Sequence, residues 1–316
     1  VTLSATHNRL PHWFTEAAAV SEELTGRSYD TAQLLAIALQ DNELFAYDQI
    51  NWGFVRPRKP TDRALAYAQA NWMLQYIEER FERKAILDLM HLYSQGVSDA
   101  DALKQVTSLD TETFMNDFRG WAMRQVERWG LKRSPVNEQA REALLEDAPL
   151  VTLDQVDEWL TQHPSHPELL RLRAQVLLLT PDTQAKLDAL DAYTQARPVD
   201  PWPVRERARL AIAAGDDDAA RRALEALDQQ EGMSPEFAKA LVLLHRKAGR
   251  LNQAAHYAQR ALHRDPFNAS LRELAATVEL QRGQRDQALR HVQALTLLEP
   301  DRPIHQQRLE ALQKLQ

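Results

Sequence analysis

No stretch of this chain alternates apolar and polar residues in the Val-, Ile- and Thr-rich manner of a sheet. The apolar residues gather instead into segments of helical length, separated by polar or proline-bearing breaks. Over the first 132 residues this pattern predicts helices at about 12–24, 31–40, 61–80, 83–95, 99–106 and 110–129. An irregular loop, AYDQINWGFVRPRKPTDR, lies between the second and the third, broken by Pro57 and Pro60. Arg56, Arg58 and Lys59 make it basic, as either a solvated loop or a substrate-facing loop would be. The expected fold class is all-α.

Beyond residue 165 the pattern becomes periodic. Gly215, Gly249 and Gly283 are spaced by 34 residues, and Ala220, Ala254 and Ala288 follow five positions behind them. Pro167, Pro201 and Pro235 keep the same 34-residue period, as do Pro266 and Pro300. Each position has a physical reason. A proline at the start of a helix gives up an N–H that would be unpaired anyway. Glycine tolerates the positive φ of a sharp turn between two helices. The small residue lets the second helix approach the first, and Pro266 after Asp265 ends it. The most regular unit is residues 235–268, PEFAKALVLLHRKAGRLNQAAHYAQRALHRDPFN. Unit 167–200 has Pro181 at the turn, and unit 201–234 has Gly232 where the closing proline should stand. Asp216, Asp217 and Asp218 are expected to cap the helix that follows them.

Paired helices with a 34-residue period resemble tetratricopeptide repeats. Residues 166–316 are therefore expected to form a repeat superhelix, closed by a terminal capping helix from residue 303. Such an array holds a protein or peptide partner in its groove. Arg205, Arg209, Lys239 and Arg246, on the first helices of their units, are the candidate partner-binding residues.

Composition narrows the picture. Nine glycines, no cysteines and abundant Ala, Leu, Gln, Glu and Arg favour helix and exclude disulfides and thiolate metal sites. A net charge of −7 argues against a general nucleic-acid binder. No apolar segment reaches the roughly 18 residues of a membrane span, and no basic-then-apolar leader is visible. Nothing in the sequence indicates a compartment.

The first 125 residues or so also carry a resemblance. LPHWFTEAAAVSEE, INWGFVRPRKPTDRALAYAQANWMLQYIEERF and LMHLYSQGVSDADAL resemble the peptidase MA-like, or gluzincin, domain in bacterial proteins that fuse it to tetratricopeptide repeats. In that family a His-Glu-x-x-His helix supplies two zinc ligands and the general base, and a glutamate on a following helix is the third protein ligand. The resemblance gives Glu16 that ligand place and makes Tyr67, in ALAYAQANW, the tyrosine that donates to the tetrahedral oxyanion. Two imidazoles and a carboxylate would leave zinc's fourth position for an activated water. In that arrangement Trp13, Phe14, Ala17, Ala18 and Val20 would pack the helix of Glu16 beside the helix carrying the histidines; read without the family, Tyr67 is an aromatic on an amphipathic helix.

None of the ten histidines lies in a His-Glu-x-x-His motif. His12 and Glu16, at i and i+4, share a helix face but are two ligands short of a closed zinc site. His7 reads as a loop residue, and His163 and His166 fall in the proline-bearing linker HPSHP. The resemblance thus implies either that the histidine ligands lie upstream of Val1, so that zinc belongs to a longer parent protein and this chain alone is inactive, or that the domain is degenerate and never bound zinc; the first is the expectation. The expected organisation is an incomplete peptidase-like lobe at 1–132, connecting helices at 133–165 and the repeat array at 166–316. The competing expectation is a non-catalytic repeat scaffold that binds protein partners.

Overall fold

The computed structural model describes residues 6–7, 9–21, 27–145, 151–230 and 235–314, and every regular element among them is a helix. Two compact units result, Val1–Asp200 and Pro201–Gln316. The expected Gly232 and the last residues of the segment 12–24 lie outside the described residues.

In the first unit, α1 (His12–Ser21) lies against α4 (Asp62–Ser94), burying Trp13, Phe14 and Ala17. Between them come α2 (Tyr29–Gln40) and a short α3 (Ile50–Val55), the latter inside the stretch expected to be irregular. Its apolar residues explain the difference: Ile50, Gly53 and Phe54 are buried and α3 packs on α4, so tertiary burial overrides the weak local signal. The two helices predicted over 61–80 and 83–95 are the arms of α4, which breaks at Glu82, where φ is 66° and ψ 162°. Helices α5 (Asp99–Thr107) and α6 (Thr111–Arg128) follow their expected bounds closely. Side chains cap them as the sequence allows: Ser98 accepts from Asp101 N at 3.3 Å and Asp110 from Thr113 N at 2.8 Å.

The core of this lobe is aromatic. Trp72 on α4 meets Phe118 of α6 edge-on at 5.6 Å and stacks on Trp129 at 5.3 Å. One polar junction crosses it. Asp99 accepts from Trp13 Nε1 at 2.8 Å, Tyr47 Oη at 2.8 Å and Tyr93 Oη at 2.7 Å. A single carboxylate thereby ties α1, the loop before α3, the end of α4 and the start of α5. Burial first, then the Asp99 charge, pushes both tyrosine hydroxyls up in pKa, so they stay protonated donors.

Helices α7 (Glu138–Leu145), α8 (Leu153–Gln162), α9 (Pro167–Leu178) and α10 (Thr183–Ala196) complete the first unit. Trp159, Val156, Ala140, Leu169 and Leu172 form a small core joining α7, α8 and α9. The degenerate repeat at 167–200 thus packs with the helices before it. Arg197, at the end of α10, anchors it to the lobe. It donates through Nε to Gly130 O at 3.0 Å, meets Tyr29 Oη at 3.4 Å and pairs with Glu168 at 2.6 Å. Burial alone would lower its pKa, but the Glu168 charge and hydrogen bond together with Tyr193 and Tyr29 outweigh it, and the net shift is upward.

The second unit is built of helix pairs: α11 (Trp202–Ala214) with α12 (Asp217–Gln230), α13 (Pro235–Lys247) with α14 (Leu251–Arg264), and α15 (Ala269–Gln281) with α16 (Arg285–Leu298). A last helix, α17 (Pro303–Lys314), packs on α16. The phased glycines sit at the turns with φ near 70°, and Ala220, Ala254 and Ala288 are buried between paired helices. Asp216 accepts from Ala219 N at 2.9 Å, as its position before α12 leads one to expect.

Successive second helices are joined by a buried carboxylate. Asp228 on α12 receives Arg260 Nη2 and Arg264 Nη1 of α14, each at 2.8 Å. Asp228→Ala is expected to cost the second unit about 1–3 kcal/mol, because two charge-assisted bonds are lost and both arginines are partly solvated. Urea unfolding of the variant against the parent measures it.

Candidate functional site

Helix α1 presents His12 and Glu16 on one face, with His12 Nε2 and Glu16 Oε1 3.3 Å apart. The His12 ring meets Phe54 edge-on at 4.8 Å, and Phe54 meets Tyr67 edge-on at 4.9 Å. The packing of α3 on α4 therefore brings His12 and Tyr67 into contact with one phenyl ring, with Glu16 paired to His12. Among the described residues no group of three His, Asp or Glu side chains is placed to hold a metal. The residues present do not fit zinc on their own: His12 and Glu16 supply two donors where three protein ligands are needed. His166 has a structural use, its Nε2 lying 3.2 Å from Ser134 O just ahead of α9.

The basic loop before α4 is organised by its first residue. Asp62 Oδ2 accepts from Arg58 N at 2.7 Å and Lys59 N at 3.0 Å, while Lys59 Nζ pairs with Glu43 at 2.6 Å. Arg56 lies over the exposed Trp52 ring at 5.5 Å. These residues rim a cleft of about 440 Å³ whose floor includes Leu34, Ile37 and Leu65.

A second cavity, of about 550 Å³, opens between α1, α2 and α4. Tyr67, Asn71 and Gln75 line it from α4, Val20 and Ser21 from α1, and Arg27, Ser28 and Thr31 from the start of α2. Arg27 rests on the faces of Trp72 and Trp129, 5.6 and 5.0 Å from the ring centroids, and donates to Gln75 Oε1 at 2.7 Å. Burial lowers its pKa to about 10. Nothing in the sequence singles out this arginine, which precedes α2 and meets its tryptophans only through tertiary packing.

In the second unit the first helices of successive repeats share a wall. Arg209 of α11 lies 5.8 Å over the Phe237 ring of α13, and Lys239 of α13 donates to Ser270 of α15 at 2.8 Å. Arg308 of α17 pairs with Glu273 of α15 at 3.3 Å, continuing the series. Arg209 also pairs with Glu206. Of the expected partner-binding residues, Arg209 and Lys239 are exposed on this wall, while Arg205 and Arg246 are half-buried. Exposed aliphatic side chains accompany them: Ile212 on α11, Leu243 on α13, Leu280 on α15 and Ile304 on α17. The sequence pattern could have found these four, since each occupies a first or capping helix, yet none was needed to explain the period.

A family model described as tetratricopeptide repeat matches residues 245–312. These residues carry tetratricopeptide repeats. Among solved structures, the MamA protein is similar at 12% identity and a TM-score of 0.39, over 52% of this chain and 86% of that one. A tetratricopeptide repeat protein from Parabacteroides merdae is similar at 13% identity and a TM-score of 0.29, over 96% of this chain and all of that one. No curated protein matches the chain. The matches give no support to the gluzincin resemblance of the first 125 residues. No helix among the described residues is long and apolar enough to cross a membrane.

Proposed function

We propose that the chain is a protein-interaction scaffold whose second unit binds a peptide along the wall of first helices. The observation that carries this reading is the exposure of Ile212 beside Arg209 on α11 and of Leu243 beside Lys239 and Arg246 on α13, with Leu280 and Ile304 exposed on α15 and α17. Aliphatic side chains left in water gain by burial under a partner. Glu206 and Glu273 on this wall are already engaged by Arg209 and Arg308, whereas the hydrogen bond of Lys239 goes to a neutral hydroxyl. The complementary peptide is therefore aliphatic and acidic.

The test is a synthetic peptide set in which Leu positions are fixed and the remaining positions are Glu or Lys. The Glu series should bind the whole chain and weaken with added salt. Binding should fall at least tenfold in Lys239→Glu with Arg246→Glu, and again in Leu243→Asp. Equal binding of both series, or no effect of the substitutions in folded protein, would refute the proposal.

A second reading keeps the chain as part of a zinc peptidase, with Glu16 as ligand and Tyr67 as oxyanion donor. What favours it is that Phe54 contacts both His12, which pairs with Glu16, and Tyr67. A coding sequence upstream of Val1 without His-Glu-x-x-His would end it. If the motif is there, zinc should be lost from the longer protein on Glu16→Gln.

A further inference from the structure

We propose that the cavity between α1, α2 and α4 binds a small organic anion through Arg27, the ligand presenting a carboxylate or a phosphate group. An arginine has five N–H donors and no way to shed its charge in ordinary solution. Arg27 uses one of them on the neutral Gln75 amide, and its guanidinium carbon lies over the neighbouring rings of Trp72 and Trp129. No carboxylate among the described residues lines the cavity or pairs with Arg27. A partly buried guanidinium with no counter-charge among the described residues is an expensive arrangement for a fold to keep, and an anion entering beside it supplies a partner.

The rest of the lining suits the same guest. Ser21, Ser28, Thr31, Tyr67, Asn71 and Gln75 offer hydroxyl and amide groups around one basic centre. Asn71 is 7% exposed and accepts from Gln75 Nε2 at 3.2 Å, so the Gln75 carboxamide is oriented with its oxygen toward Arg27. Contact with the two indole rings holds the cation at the cavity wall, with donors to spare beyond the one on Gln75. Val20, Ala64 and Ala68 give the cavity an apolar side, and its volume of about 550 Å³ suits a ligand of metabolite size. Tyr67 also serves here without any metal: its ring rests on Phe54 and it borders the cavity.

The experiment titrates the full chain with inorganic phosphate in one arm and acetate, then succinate, in another, at ionic strength held constant with chloride. Binding is read by calorimetry and by tryptophan fluorescence, since Trp72 and Trp129 cradle the arginine. Saturable binding of phosphate alone would assign a phosphate-bearing ligand, and binding of the carboxylates would assign a carboxylate. Arg27→Gln should weaken either at least tenfold, while Arg56→Gln, outside the cavity, should leave it unchanged. If Arg27→Gln does not fold, Asn71→Asp decides: it keeps the acceptor for Gln75 but adds a competing carboxylate, and should also weaken binding at least tenfold. Absence of saturable binding in both arms, or binding untouched by Asn71→Asp, would overturn the proposal. Neither outcome bears on the peptide wall of the second unit.

Discussion

Gly130→Ala is expected to destabilise the first unit by about 3 kcal/mol or more, well beyond the same change at Gly215. Both glycines have positive φ, 69° and 71°, so each substitution forces alanine into the left-handed region. That strain alone costs about 1–2 kcal/mol. Around Gly215 there is open space, with nothing within 4 Å of an added Cβ. At Gly130 the new carbon would fall 1.8 Å from the carbonyl oxygen of Ala196. Backbone cannot move aside as a side chain can, so α10 must separate from the lobe. Separation also breaks the bond from Arg197 Nε to Gly130 O. Urea unfolding followed by tryptophan fluorescence should show the first unit unfolding earlier in Gly130→Ala, and Arg197→Ala should reproduce part of the loss. If the Gly130 and Gly215 variants lose equal stability, the close approach is not what matters.

Asp99→Ala is the second large effect, expected at about 3–5 kcal/mol. Hydrogen bonds to a charged acceptor contribute about 1.5–3 kcal/mol each, and they do not add fully within one network. Alanine would leave Trp13 Nε1, Tyr47 Oη and Tyr93 Oη without their acceptor, and all three side chains are buried. Asp99→Asn separates charge from shape. Its Oδ1 can still accept from the two tyrosines, but its amide group faces the Trp13 N–H donor to donor. A smaller loss, about 1–2 kcal/mol, follows from one bond replaced by a clash of donors. Equal losses for Ala and Asn would show that the negative charge, not the count of acceptors, holds the junction together.

The repeat array was legible because its rules are local. Gly215, Gly249 and Gly283 recur where a turn needs positive φ, and the small residues behind them recur where two neighbouring helices touch. Asp216 caps the helix that begins one residue later, a contact made within one turn of chain. The same holds for the helical class and for the break in α4, whose two arms the sequence pattern predicts as separate helices on either side of Glu82. Even α3 was hidden only because a six-residue helix carries too little periodicity to register before its burial is known.

Sites behaved differently. His12 and Glu16 are neighbours on one helix, so their pairing could be foreseen from i and i+4 spacing. That Tyr67 shares the Phe54 ring with His12 depends on α3 lying against α4, which no spacing encodes. Arg27 is separated by 45 residues from Trp72 and by 102 from Trp129, and it looks like any surface arginine until those indoles close on it. Gly130 carries the positive φ of a helix end, which a sequence can suggest, but its contact with Ala196 comes from 66 residues away. The sequence by itself determined the all-helical class, the 34-residue period and the turns that enforce it, since each follows from the conformational limits of residues close in the chain. Only the tertiary structure decided where Asp99, Arg197 and Arg27 find their partners, because burial of a polar group is settled by segments distant in sequence that meet only when the helices pack.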